Sequence, residues 1–196
     1  MNKLHIIGLA GTNGSGKDTV GQILAEKHGY LFVSVTDILR DELKRRGREV
    51  NRENLRGLSA EWRRESGQLG VLVDKAVEQY QKAAEKYSGV VMASLRNPGE
   101  ANRVHELGGT MVWVDADPHI RYERIQKNAS VRGRAEEDNK TFEQFLAEEQ
   151  AEMHQSGDEA TLSMSGVKDK CDVFITNDGA GTGELQTRIE QSLDLI

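Results

Sequence analysis

Three glycines, a lysine and an aspartate crowd into residues 11–20, GTNGSGKDTV. Gly11, four intervening residues, Gly16 and Lys17 have Walker A spacing, whose chemistry is the cradling of phosphate. Glycines so placed let successive backbone N–H groups turn inward around phosphate oxygens. A following helix N-terminus adds partial positive charge, and the lysine sets an ammonium on the outer phosphates. This assigns Gly11, Asn13, Gly14, Ser15, Gly16, Lys17, Asp18 and Thr19 to a nucleotide site that takes ATP with Mg2+. The usual motif follows the lysine with Ser or Thr, whose hydroxyl ligates the metal; here Asp18 stands there. Asp18 either ligates Mg2+ as a hard oxygen donor, directly or through water, or merely favours the positive helix end. A carboxylate so near nucleotide phosphates is repelled unless a cation lies between them. Thr19 then offers a hydroxyl to an inner phosphate.

A nucleotide loop alone does not distinguish kinase, switch and motor; the distribution of arginine narrows the choice. Residues 40–64 hold nine basic side chains against five acidic, and residues 121–134 hold five against one, inside a chain of net charge −6. A kinase needs one positive pocket for the acceptor's phosphate and another to close over the phosphoryl group in flight. Solvated helix faces would also produce such islands.

The elements that must carry these residues follow from hydrophobic periodicity. Leu4–Ala10, Tyr30–Val35, Val90–Ser94, Thr110–Val114 and Asp172–Thr176 are short apolar runs expected to be strands. Helical spacing is predicted over Thr19–His28, Ile38–Arg46, Leu55–Trp62, Leu69 to about Tyr87, about 141–155 and 184–196, with helix starts at Asn97-Pro98 and Asp117-Pro118. Five such runs separated by helices predict an α/β fold: a five-stranded parallel sheet covered on both faces, with ligands at the carboxyl ends of the strands. Asn128–Lys140 is the most polar and least periodic stretch and reads as a mobile connection.

Composition bounds the rest. A chain of 196 residues, 37% hydrophobic and 30% charged, suits one ordered domain with one core. With 26 basic against 32 acidic residues, no polybasic surface for nucleic acid or an anionic membrane is expected. Cys171 is the single cysteine, no secretion signal or bilayer-spanning run is read, and the five histidines lack paired metal-ligand spacing, so a cytoplasmic protein is expected.

The segment Gly8–Thr19, taken with VSVTDILRDELKRRG at 33–47, resembles the nucleoside monophosphate kinase group of P-loop proteins. Within it the chain is most similar to the adenylate-kinase-related and dephospho-CoA-kinase-like families, over most of its length. Adenylate kinases carry a Ser-Thr-Gly-Asp-x-Leu-Arg run after the second strand; Ser34, Asp37, Leu39 and Arg40 match it, and Val35 and Thr36 depart. The resemblance implies that Arg40 holds the acceptor's phosphate and that Asp37 lies near the attacking hydroxyl, although Asp37 also suits an N-cap for a helix from Ile38. SLRNPGEANRVHELGGTMVWV, 94–114, resembles the phage-type deoxynucleoside monophosphate kinases, which tend to carry Asp after the P-loop lysine and in which Arg96 corresponds to an acceptor-phosphate arginine. DPHIRYERIQKNASVRGR, 117–134, looks like a lid entry, implying Arg124, Arg132 and Arg134 as neutralisers of the transferring group. DVFITNDG, 172–179, looks like the last strand and the adenine loop, with Asn177 framing the base.

The resemblance implies a three-layer P-loop kinase fold over residues 1–196, with an acceptor-binding helical region at about 37–88 and a lid at about 125–141. One feature departs from it. The third strand reads VVMAS, with Ala93 or Ser94 where a Walker B carboxylate is usual. Either Asp18 and Asp37 hold the metal through water, with Asp115 and Asp117 as possible helpers, or activity is weak or absent. The expectation is an ATP-dependent kinase of small phosphorylated acceptors, first of all nucleoside or deoxynucleoside monophosphates, acting as a monomer or small homo-oligomer. Dephospho-CoA kinase and a nucleotide-binding switch or sensor remain alternatives.

Overall fold

The computed structural model describes residues 5–128, 140–154, 157–179 and 181–195. All five predicted strands form: β1 His5–Gly11, β2 Tyr30–Ser34, β3 Gly89–Ala93, β4 Thr110–Asp115 and β5 Val173–Thr176. They make one sheet in the order β2-β3-β1-β4-β5 with every pairing parallel. The helices are α1 Lys17–His28, α2 Val35–Arg45, α3 Arg52–Ser66, α4 Val71–Gln81, α5 Pro98–Glu106, α6 Pro118–Asn128, α7 Phe142–Met153, α8 Met164–Lys168 and α9 Thr182–Ser192.

Side chains alternate across a strand, so each central strand feeds two cores. Ile6 and Ala10 of β1, Val90 and Met92 of β3, and Met111 and Trp113 of β4 pack into one cluster with side chains of α2 to α5 and α8. Ile7 and Leu9, Val91 and Ala93, and Val112 and Val114 face the other way, onto Val20, Ile23 and Leu24 of α1 and Leu185 and Ile189 of α9. Both faces are therefore dry, which explains why the strands read as continuous apolar runs rather than alternating ones.

Three local expectations are corrected. α2 starts at Val35 rather than Ile38, because β2 stops pairing with β3 at Ser34. Asp37 accordingly sits inside the first turn of α2 and is not its N-cap. α4 ends at Gln81 instead of running to Tyr87, and a separate 3-10 turn at Ala84–Lys86 brings the chain into β3, since Lys82–Lys86 has no large apolar side chain to hold a helix on the sheet. The short α8 is too brief to leave a periodic signal in the sequence; Met164 and Val167 dock it into the first core. The predicted caps do form: Asn97 Oδ1 accepts from the Gly99 N–H at 2.8 Å, and Asp117 Oδ1 from the His119 N–H at 2.8 Å.

Candidate functional site

The carboxyl ends of β1, β3, β4 and β5 open onto one edge of the sheet, and the glycine loop lies there between β1 and α1. Two glycines make its path possible. Gly16 has φ +90°, and a Cβ on it would lie 2.5 Å from Asn177 Nδ2; Gly11 has φ +145°, and a Cβ there would lie 2.0 Å from the Val114 carbonyl oxygen. The bend is braced from the far end of the chain: Asn177 Nδ2 donates to the Ser15 carbonyl at 2.8 Å while the Asn177 N–H donates to the Asp115 carbonyl at 2.7 Å. The Thr12 hydroxyl donates to Asp115 Oδ1 at 2.7 Å, tying the loop to the end of β4. Lys17 is buried, with Nζ 3.4 Å from the Thr12 carbonyl oxygen, so its ammonium curls over the loop. The Ser15 hydroxyl is fully buried and has no hydrogen-bond partner.

Behind the loop stands a residue that no sequence motif marks. Arg121, 2% exposed, donates from Nε to the Ala116 carbonyl at 2.8 Å and from Nη1 to the Asn13 carbonyl at 3.3 Å, and it pairs with Glu149 of α7. Its signal was helical spacing: Arg121 lies one turn before Ile125, on the buried stripe of α6. Arg124 projects elsewhere, donating to the carbonyls of Asn177 and Gly179 at 2.8 and 2.9 Å. It therefore holds the loop after β5. Arg132 and Arg134 lie outside the described residues.

A cavity of about 270 Å³ adjoins the loop, and Asn13, Lys17, Asp18, Asp37, Arg40 and Arg96 all line it. Its far wall is α3, whose Arg52, Arg56 and Arg63 fall on one helical face. Arg40 Nη1 pairs with Asp37 Oδ1 at 2.6 Å, and Arg96 Nη1 donates to Glu152 Oε2 of α7 at 2.9 Å. Arg63 and Glu100 form a buried ion pair of 2.6 Å, each side chain 1% exposed. The second oxygen of Glu100 accepts the N–H groups of Arg96 and Asn97 at 2.7 and 3.0 Å, which shapes the turn carrying Arg96. At the head of that turn Ser94 adopts φ +71°, a strained conformation for a non-glycine residue. Arg63 Nε is buried without a partner. Apart from Ser15 Oγ, no other buried side-chain polar atom among the described residues lacks one. The Ser15 hydroxyl lies in the phosphate loop, where a polar ligand would satisfy it, whereas Arg63 Nε lies within the buried bridge to Glu100.

These features fit a nucleoside triphosphate: a loop that only glycine can follow, a buried lysine and an unpartnered hydroxyl. The donor set for a cation is lean. Among the described residues no three or more His, Cys, Asp or Glu side chains cluster as metal ligands. Asp18 and Asp37 both line the cavity, and Mg2+ commonly takes one or two carboxylates with substrate phosphates completing its shell. Asp115 already accepts the Thr12 hydroxyl and the Ala116 N–H, the latter at 2.9 Å, so it braces the loop. Burial and the neighbouring Asp172 charge push the Cys171 thiol up to about 12, which keeps it protonated at neutral pH.

The AAA domain family matches residues 7–151. UPF0200 proteins are similar over nearly the whole chain: that of Pyrobaculum aerophilum is 29% identical over 194 residues, covering 97% of each chain. That of Thermococcus gammatolerans is 31% identical over 179 residues, covering 89% of this chain and 87% of its own. The chain belongs to the AAA domain family and to the UPF0200 proteins. Solved structures agree on the architecture of this UPF0200 chain. A shikimate kinase from Acinetobacter baumannii superposes with a TM-score of 0.56 at 16% identity, covering 99% of this chain and 94% of that one. A shikimate kinase from Aquifex aeolicus superposes at 0.55 and 19%, with 96% of each chain covered. At such identities the likeness establishes the fold alone, a P-loop kinase-like α/β fold. No helix among the described residues of this UPF0200 protein is long and apolar enough to cross a membrane.

Proposed function

We propose that the protein transfers the γ-phosphoryl group of ATP to a small phosphorylated acceptor, with a nucleoside or deoxynucleoside monophosphate as the leading class. One observation carries the reading: a single cavity joins the loop residues Lys17 and Asp18 to Arg40 and Arg96, which would hold a second anion. Gly11–Thr19 cradles the triphosphate, with Asn13 and the N–H groups of Gly14, Ser15 and Gly16 around it and Asn177 beside the base. Lys17 sets its ammonium against the outer phosphates. Asp18 and Asp37 hold Mg2+, which offsets phosphate charge when bound. Arg40 and Arg96 orient the acceptor, with α2 to α4 as its binding region.

In the transfer, an oxygen of the acceptor's phosphate attacks the γ-phosphorus, the bond from that phosphorus to the β–γ bridging oxygen breaks, and ADP leaves with the bond's electron pair. Chemistry of this kind depends on alignment and charge neutralisation more than on a strong base, which suits a site without one. Arg132 and Arg134 remain the lid arginines of the proposal. Arg124 contributes by holding the loop that frames the base.

The test is ADP release with ATP and a panel of acceptors: AMP, CMP, UMP, GMP, the deoxynucleoside monophosphates, dephospho-CoA and shikimate. Stimulation by a monophosphate, abolished by Lys17→Ala, is the expected result; full turnover in Lys17→Ala would rule the scheme out. The end of β3, Ala93-Ser94 with no carboxylate, favours a second reading, a nucleotide-binding switch or sensor. Tight ATP binding with no stimulation by any acceptor is its signature.

A further inference from the structure

Two complementary charge stripes meet above the cavity. Arg52 and Arg56 lie one turn apart on α3, and Glu148 and Glu152 lie one turn apart on α7. Arg52 Nη1 donates to Glu148 Oε2 at 2.8 Å. Glu152 is held differently, by arginines from two separate elements. Arg56 of α3 bonds its Oε1, while Arg96 of the turn after β3 bonds its Oε2 at 2.9 Å, and Arg52 Nη1 stands 3.9 Å away. One guanidinium on each oxygen is the arrangement that also receives two oxygens of a phosphate group.

The clasp lies on the cavity wall and is not sealed in the core. Arg56, Arg96 and Glu152 line the same cavity as Lys17 and Asp18, and their side chains are 48%, 29% and 14% exposed. The Arg63–Glu100 pair beneath them, at 1% each, is a structural bridge by contrast. Burial pushes the Glu152 carboxyl up, yet Arg96, Arg56 and Arg52 outweigh burial and hold it below the usual carboxylate range. At neutral pH it is therefore an anion held between two guanidinium groups on the cavity wall.

We propose that Glu152 is the resident occupant of the acceptor's phosphate seat, that Arg56 and Arg96 are the arms of that seat, and that a phosphate monoester displaces the Glu152 carboxylate when it binds. The inference rests on the phosphorylated-acceptor reading above and adds Arg56 to it as a substrate-binding residue. It also states a selectivity. A neutral or singly charged acceptor gains little by replacing an ionised carboxylate, whereas a phosphate dianion brings a second charge to the same donors.

The test uses the full chain with its nucleotide loop filled by ADP and Mg2+, titrated calorimetrically with inorganic phosphate. Glu152→Gln keeps the size of the side chain and removes its charge. It should bind phosphate about tenfold or more tightly than the parent, the order expected when a competing charge leaves a close pair. Adding Arg56→Ala to it should cancel the gain. Glu152→Ala, checked by circular dichroism for retained helix, should show the same direction. Equal or weaker phosphate binding by both Glu152 variants would overturn the proposal, because the carboxylate would then be bracing the arginines. If the parent binds phosphate, loses it on Arg96→Ala and gains nothing on Glu152→Gln, the acceptor reading stands and only the resident-occupant idea fails. If neither the parent nor either Glu152 variant binds phosphate, both fail.

Discussion

Glu100→Gln isolates the electrostatic part of the acceptor wall from its geometry. In the structure one Glu100 oxygen pairs with Arg63 at 2.6 Å and the other accepts the Arg96 and Asn97 N–H groups. A glutamine can keep its carbonyl on the two N–H groups, but its amide nitrogen then faces Arg63. The buried guanidinium loses its countercharge, a change that typically costs about 3–5 kcal/mol. Typical domains have only about 5–15 kcal/mol in total. At about 2–4 °C per kcal/mol for a chain of this length, the melting midpoint should drop by roughly 6–20 °C. Adding Arg63→Met removes the stranded charge at similar volume while the turn keeps its bonds, so the double variant should recover most of the loss. Urea or thermal unfolding of the parent, both single variants and the double variant gives the coupling directly. A Glu100→Gln midpoint within about 2 °C of the parent, equivalent to less than ~1 kcal/mol, would refute the reasoning. So would a double variant no more stable than Glu100→Gln.

Two further outcomes are expected. Gly16→Ala must hold φ +90° and push its methyl into Asn177. The left-handed backbone alone costs about 1–2 kcal/mol. The variant should melt a few degrees low and lose the stabilisation that ATP gives the parent, worth about 2.7 kcal/mol at a hundred times Kd; a normal ATP-induced shift would contradict this. On acidification, Glu42, held at about 2 by hydrogen bonds from Arg45 and Arg46, and Glu152 both titrate lower in the folded chain than the ordinary glutamate. A carboxylate with a depressed folded-state pKa stabilises the fold above its unfolded value of about 4.3 and loses that contribution as the pH falls through the folded value. The melting temperature should therefore decline steadily from about pH 5 towards pH 2, and a flat or rising profile in circular-dichroism melts would refute the assignment.

The strands were legible because burial on both faces leaves an unbroken apolar signature, and the loop because its glycines and lysine act through local backbone geometry. Element ends were less legible. Val35 has the side chain of a strand, yet it begins α2 because β3 runs out opposite Ser34. Arg40 and Arg96 were marked by the family resemblance, whereas Arg56 and Glu152 are charges on helix faces that match no motif. Nothing local separates an arginine that stays in solvent from one that meets a carboxylate 96 residues later.

By itself the sequence determined the phosphate loop, the parallel sheet and the edge at which ligands gather, since these follow from short-range periodicity and from backbone conformations that only glycine adopts freely. The tertiary structure alone decided that Asn177 braces Ser15 across 162 residues, that Arg63 and Glu100 form a buried pair, and that α7 lays Glu152 between two arginines. Charge contacts between distant segments depend on how helices are packed against the sheet, and that packing is set by the whole core.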